Sequence, residues 1–241
     1  MIKVIISCEH GGNEIPPDFA VLFTEATDLL NSHQGYDIGA LQLAQVLAEK
    51  FADFFYSSTI SRLLVDLNRS SYHSKVFSHL TKGLDKGSRQ GLLDTHYLPY
   101  RSTMEDTITQ CINLQQQVIH ISVHSFTPIL GTQVRNNDIG FLYDPKSLQE
   151  KYFCNLWKKY IQSQEIPTAS CKVRHNYPYK GSADGFSTHL RKRFAGGHYL
   201  GIELEVNQRL FTSEADRGAI VIKRLVQGLQ QALEDVKEDF L

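Results

Sequence analysis

VIISCEHGGNEIPP, Val4 to Pro17, opens as an apolar run of β-branched residues and turns polar at once. Val4, Ile5 and Ile6 suit a buried strand of an α/β sheet, where both faces are covered and alternation is lost. The run stops at Ser7, and Glu9, His10, Asn13 and Glu14 follow within eight positions. Gly11 and Gly12 between them let the chain turn sharply and bring its backbone close to a ligand. A carboxylate, an imidazole and an amide at the carboxyl end of a strand stand where open α/β sheets bind ligands. The competing reading is a strand-to-loop turn whose histidine packs on the sheet.

The rest of the chain narrows that choice. Val118 to Val123 is a second β-rich apolar run, and it ends in His124-Ser125-Phe126-Thr127-Pro128. Two buried strands thus each deliver a histidine to a carboxyl end. His198 to Val206 returns to strand, and the period of two puts Glu203 and Glu205 on one face. A carboxylate at the end of a buried strand is costly unless paired or functional. Phe54–Ser58, Ile60–Asp66 and Ile139–Tyr143 also read as strands. Asp37 to Lys50 reads as a helix, with Ala40, Leu41, Ala44, Leu47, Ala48 and Phe51 on one face and His33 and Asp37 at its entrance. Asp37 suits an N-cap there. A helix follows Tyr97-Leu98-Pro99-Tyr100-Arg101, an aromatic stripe from Tyr152 to Ile161 reads as helical core, and Glu214 to Lys237 forms an amphipathic closing helix. From Ser70 to Gly91 the periodicity fails, which predicts a long functional loop or lid. Residues 174 to 194 form a polar stretch punctuated by Gly and Pro.

The 241 residues suffice for one large α/β core, and no linker or repeat divides them, so one domain over 1–241 is expected. A net charge of -1 gives no electrostatic case for nucleic acid or an anionic membrane. No apolar run reaches bilayer-spanning length, and no signal peptide opens the chain, so a cytoplasmic protein is expected. The four cysteines, Cys8, Cys111, Cys154 and Cys171, are scattered without a CxxC pair, which argues against a zinc ribbon or a disulfide framework.

SCEHGGN, YDIGA, SRLLVDLNRS, LPYR, HSFTP, DIGFLYD, NYPYKG and IELEVNQ, in that order, resemble the N-formylglutamate amidohydrolase family. That family is similar to the zinc carboxypeptidases and the aspartoacylase and succinylglutamate desuccinylase enzymes. There an early histidine, a DLNR-type segment, a strand-borne histidine and a final EV-containing strand build a zinc hydrolase site. The resemblance implies a three-layer α/β/α domain with a mixed central sheet, zinc-exopeptidase-like, and a zinc-dependent amidohydrolase acting on a small N-formyl or N-acyl amino acid. It implies His10 and His124 as zinc ligands, since zinc suits imidazole plus carboxylate and keeps a fourth position open. The carboxypeptidase-like pattern places Glu three residues after the first histidine, but this chain has Asn13. Asp37 is therefore the preferred carboxylate ligand, with Asn13 as the positional alternative and Glu14 behind both. Glu9 would orient His10. Glu205 resembles the glutamate that handles the proton of the attacking water. Arg62, Asn68 and Arg69 resemble groups that polarise the carbonyl or hold a substrate carboxylate, for which the planar guanidinium fork is suited. Arg101, Arg135, Asn176, Tyr179 and Arg191 complete the substrate-pocket candidates. The other histidines, among them His33 and His120, are assigned to surface or structure. Two further readings stand beside this one: a carboxypeptidase or peptidoglycan amidase of the same fold, and a non-catalytic binding relative, which Asn13 keeps open.

Overall fold

The structure is a computed structural model that describes residues 1–163 and 171–239. Six strands form the central sheet: β1 (Ile2–Cys8), β2 (Phe54–Ser57), β3 (Gln117–Phe126), β6 (Ile139–Leu142), β7 (Val173–His175) and β8 (Tyr199–Asn207). Their order is β2-β1-β3-β8-β6-β7. The first four are mutually parallel, whereas β6 runs antiparallel to β8 and pairs parallel with β7. A two-stranded hairpin, β4 (Ile129–Leu130) and β5 (Gln133–Val134), projects between β3 and β6. The helices are α1 (Thr27–Leu30), α2 (Ala40–Phe51), α3 (Lys86–Leu92), α4 (Leu98–Asn113), α5 (Leu148–Ser163), α6 (Phe186–Arg193) and α7 (Ala215–Asp239).

Strand alternation divides the core into two layers. Val4, Ile6 and Cys8 of β1, Ile119, Ile121 and Val123 of β3, and Leu200, Ile202, Leu204 and Val206 of β8 pack against α2, α5 and α7. Trp157 of α5 anchors that layer, stacked on Phe141 and donating its indole N–H to Leu225 O of α7. The opposite face carries Ile5, Val118 and Tyr199 against Met104 and Ile108 of α4 and Phe186 and Leu190 of α6. On that second face the strands turn polar toward their carboxyl ends: His120, Ser122 and His124 of β3 lie opposite Gly201, Glu203 and Glu205 of β8. The result is the mixed three-layer α/β/α fold that the sequence predicts.

One expectation fails. Ile60–Asp66 is a run of turns, with Leu64 N–H donating to Ser61 O and only Ile60 bridging to Glu14. Leu63, Leu64, Val65 and Leu67 are buried in succession because they feed two side clusters beneath the loops, so their apolar run mimics a strand. The segment after Ser70, expected as a long functional loop or lid, runs in turns as far as α3 and is anchored at two points. Val76 and Thr81 are buried, Val76 O accepts from Asp66 N–H, and Thr81 Oγ1 donates to Leu64 O, which fastens the segment to the turns before it. Residues 174–194 hide β7 and the short α6, whose buried side is only Phe186, Ser187 and Leu190.

Candidate functional site

The carboxyl ends of β1, β3 and β8 converge above the middle of the sheet. His10 follows β1, His124 lies near the end of β3, and Glu205 stands opposite His124 on β8. The fourth contribution, Asp37, comes from the entrance of α2. Its N–H donates to His10 O at 2.9 Å, tying the helix entrance to the first histidine. Two glycines permit this approach. A Cβ on Gly12 would lie 2.5 Å from Thr59 O, and one on Gly39, which has φ +80°, would lie 2.2 Å from the Phe211 ring.

The two histidine rings stand 5.1 Å apart. His124 Nδ1 is 2.8 Å and His10 Nδ1 3.4 Å from the same Asp37 oxygen, Oδ2. All three residues are buried, and their ligating atoms lie within 4.8 Å of one another. His10 Nδ1 has no hydrogen-bond partner although no water reaches it. The far nitrogens are both engaged: His10 Nε2 donates to Asp66 Oδ1 at 2.8 Å, and His124 Nε2 lies 2.9 Å from Ser122 Oγ. Arg62 spans the second layer, with Nη2 on Asp66 Oδ2 at 2.9 Å and Nη1 on Asp37 Oδ1 at 3.3 Å. Two imidazole nitrogens and a carboxylate oxygen aimed at one point, one of them orphaned, fit a metal ion, and the Asp66–His10 contact is the outer support such ligands use.

Electrostatics follow from this crowding. Burial opposes ionisation of Asp37, yet His10 and His124 hold its carboxyl well below the ordinary range. Burial likewise opposes a charged His124, but the hydrogen bonds to Asp37 and Glu9 raise it well above the usual imidazole value. Glu205 is different. Burial pushes it up to about 8, and its Oε2 is enclosed without a partner. A cavity of about 210 Å³ opens over these groups, lined also by His33, Arg69, Tyr179 and Glu203.

A model of the N-formylglutamate amidohydrolase family matches residues 2–212. The chain belongs to that family. It is thus a hydrolase of the amidohydrolase kind. Its fold is also that of solved structures. A crystal structure of a gene product from Agrobacterium tumefaciens superposes with a TM-score of 0.79 at 25% identity, over 98% of this chain and 91% of that one. The N-formylglutamate amidohydrolase of Ralstonia eutropha superposes with a TM-score of 0.68 at 15% identity, over 98% of this chain and 94% of that one. No curated protein matches the chain.

Within this family member the sequence-derived candidates separate into two groups. His10, Asp37, His124, Arg62, Asn68, Arg69, Tyr179 and Glu205 all border the cavity. Arg62 gives one N–H to Asp37 and one to Asp66 and keeps the rest of its guanidinium at the cavity. Asn68 is fixed at both ends of its amide: Oδ1 accepts from Phe186 N–H at 2.7 Å, and Nδ2 lies 3.4 Å from His124 Nε2. The other group is corrected. Asn13 is not drawn to the histidines, because its Nδ2 donates to Asn31 Oδ1 and Leu30 O. Arg101 is buried between the Tyr97 and Phe186 rings and donates to Leu67 O and Arg69 O, so it braces the DLNR segment from behind. Asn176 Oδ1 accepts from Tyr143 and Gly181 N–H, and Arg191 pairs with Glu150 and caps Gly181 O and Gly201 O. Arg135 lies behind the cavity wall, donating to Tyr179 Oη at 3.0 Å and standing over the Tyr179 and Phe126 rings that line it.

Some of the residues at the centre escape the sequence reading. Asp66 stands in the DLNR string, and its signal is an acid closing an apolar run, a position that demands a cationic partner. Ser122 has no signal at all. Glu9 turns toward His124 and not His10. His33 lines the cavity, whereas His120 is buried under it between Ser7 Oγ and Tyr199 Oη, 2.7 Å from each.

Proposed function

We propose that this chain hydrolyses the amide bond of a small N-formyl or N-acyl amino acid of the N-formylglutamate type, with a divalent metal, zinc first, held by His10, Asp37 and His124. The observation that carries the reading is the meeting of His10 Nδ1, His124 Nδ1 and Asp37 Oδ2 beside the enclosed, unpartnered Glu205 Oε2. When bound, such a cation supplies Lewis acidity toward a carbonyl oxygen and toward water.

The chain's own residues account for the rest. Asp66 and Arg62 hold His10 and Asp37 in place before substrate arrives, so their orientation costs nothing during the reaction. Glu205 Oε2 accepts a proton from the attacking water and returns it to the leaving amine nitrogen. Its raised affinity for a proton suits that exchange near neutral pH. Arg69, about a third exposed and held by its contact to Asp184 O at 2.9 Å, offers its remaining N–H groups to the substrate carboxylate. Tyr179, whose oxygen accepts from Arg135, has its own hydroxyl proton left for the substrate. The small cavity favours a single acylated amino acid over a polymer.

The test is release of formate and free amino acid from N-formylglutamate and related N-acyl amino acids by protein loaded with zinc, stripped by chelator, and reloaded. Activity that follows the metal supports the reading. Hydrolysis that persists after complete stripping would refute the metal's role, and no hydrolysis of any such amide would refute the substrate class.

A further inference from the structure

Beneath His124 lies a buried chain of hydrogen bonds that the proposed reaction leaves unused. Glu9 is 1% exposed, and among the described residues its one contact at ion-pair distance is His124 Nε2, 3.4 Å away. Its Oε1 accepts from Tyr100 O–H at 3.0 Å, and its Oε2 accepts from Ser122 O–H at 2.6 Å. Ser122 Oγ is in turn 2.9 Å from His124 Nε2.

We infer that Glu9, acting through Ser122, decides which nitrogen of His124 keeps its proton when a metal binds, and so is a positioning residue for the metal. Donor and acceptor counts set the direction of each bond. An ionised carboxylate only accepts, and serine has a single hydroxyl proton. Glu9 takes that proton, which leaves Ser122 Oγ offering a lone pair to His124 Nε2. The bond is made when Nε2 carries hydrogen. Without a metal Nδ1 also holds one, toward Asp37 Oδ2 at 2.8 Å, and it is this Nδ1 hydrogen that a metal would replace on the side where His10 Nδ1 and Asp37 Oδ2 converge. Asn68 pulls the other way. Its oxygen is occupied by Phe186 N–H, so its amide hydrogens face Nε2 and would favour a bare nitrogen there. Glu9 tips this contest toward the ligating form. Asp66 does the same for His10 by direct contact, so each histidine has a carboxylate of its own, one adjacent and one relayed.

The inference rests on the proposal that the two histidines hold a metal, and Glu9→Gln tests it with little change of shape. Tyr100 keeps the amide oxygen, so the amide N–H group faces Ser122 Oγ. Ser122 must then give its proton to His124 Nε2, which places the ring hydrogen on Nδ1, where the metal belongs. Zinc affinity of the full chain, measured by chelator competition, should fall by about 10–100-fold in Glu9→Gln. Ser122→Ala, which breaks the relay, should also weaken zinc, and adding Glu9→Gln to it should change the affinity by no more than about twofold. Nitrogen NMR of the zinc-loaded wild type should find His124 protonated at Nε2, a readout that stands even if a variant does not fold. Unchanged zinc affinity in Glu9→Gln, additive losses in the double variant, or hydrogen on His124 Nδ1 would each overturn the relay. Wild-type protein that takes up no zinc would instead overturn the metal reading, and the relay with it.

Discussion

Replacing Asp66 by asparagine removes a charge from the second layer of the site without changing its outline. In the wild type both carboxylate oxygens are acceptors: Oδ1 takes His10 Nε2–H at 2.8 Å and Asn68 N–H at 3.0 Å, and Oδ2 takes Arg62 Nη2 at 2.9 Å. An amide has one oxygen, so either His10 or Arg62 must face an N–H group in place of an acceptor. Hydrogen bonds to charged groups contribute about 1.5–3 kcal/mol each. If the oxygen stays on His10 and Asn68, Arg62 loses its partner and swings toward Asp37; if it turns to Arg62, His10 loses its orientation. Either way about 1.5–3 kcal/mol of ligand preorganisation is lost, which at about 1.4 kcal/mol per tenfold is a fall in metal affinity of about 10–150-fold. The assay is zinc competition against a chromophoric chelator, with metal-free thermal unfolding run alongside to separate site from fold. The metal-free protein should also lose stability, because Arg62 is only a quarter exposed. Asp66→Asn protein that binds zinc as tightly as wild type would refute the claim that Asp66 orients His10 for a metal.

Other changes should behave as follows. Glu205→Gln keeps size and shape but removes the base, so turnover should fall by about 10²–10⁴-fold with zinc affinity retained, while Glu203→Gln keeps most of its activity; steady-state formate release reads both. Gly39→Ala imposes a positive φ on a residue with a Cβ and drives that Cβ into Phe211, so the urea midpoint should drop by the equivalent of about 1–3 kcal/mol or more. Asp138, away from the site, is buried against Arg209 and Arg217. Burial opposes its ionisation, but Arg217, the Lys172 N–H and Arg209 hold its pKa below the ordinary value. A folded-state pKa below the unfolded one, about 3.9, means its stabilisation is complete above that pH and is lost as pH falls through the folded value. Asp138→Asn should therefore cost stability at pH 7, toward the low end of about 3–5 kcal/mol because both arginines are partly exposed, and the difference from wild type should shrink below pH 4 in urea titrations.

The strands were legible because burial on both faces leaves a mark in one dimension. Val4–Ile6, Val118–Val123 and Leu200–Val206 are apolar where the helices cover them, and the polar residues at their ends are visible as interruptions. Ile60–Asp66 shows the limit of that mark. Consecutive buried residues look alike whether they sit in a strand or in turns that feed two clusters, and only hydrogen-bond partners distinguish them. The same limit applies to charges. Arg62, Arg101 and Arg191 are indistinguishable as residue types, yet the first clamps two aspartates, the second supports backbone carbonyls and the third neutralises Glu150. Asp37 could be read as a helix cap or as a ligand, and the family resemblance favoured the ligand. Ser122 could not be found at all, since its part depends on Glu9, 113 positions away.

The alternation of β3 also sets what the protein can tolerate. Val123 belongs to the helix-covered layer and His124 to the cavity, one residue apart on a ten-residue strand. Inserting or deleting a single residue within Gln117–Phe126 would exchange the two faces, sending the imidazole into the hydrophobic layer and an aliphatic side chain into the cavity. Length variation is therefore confined to the connections. The hairpin from Ile129 to Val134, with Ile129, Leu130 and Val134 exposed, can be lengthened, trimmed or replaced without shifting any strand's register. A change of chain length is best absorbed at that hairpin, with β3 left untouched.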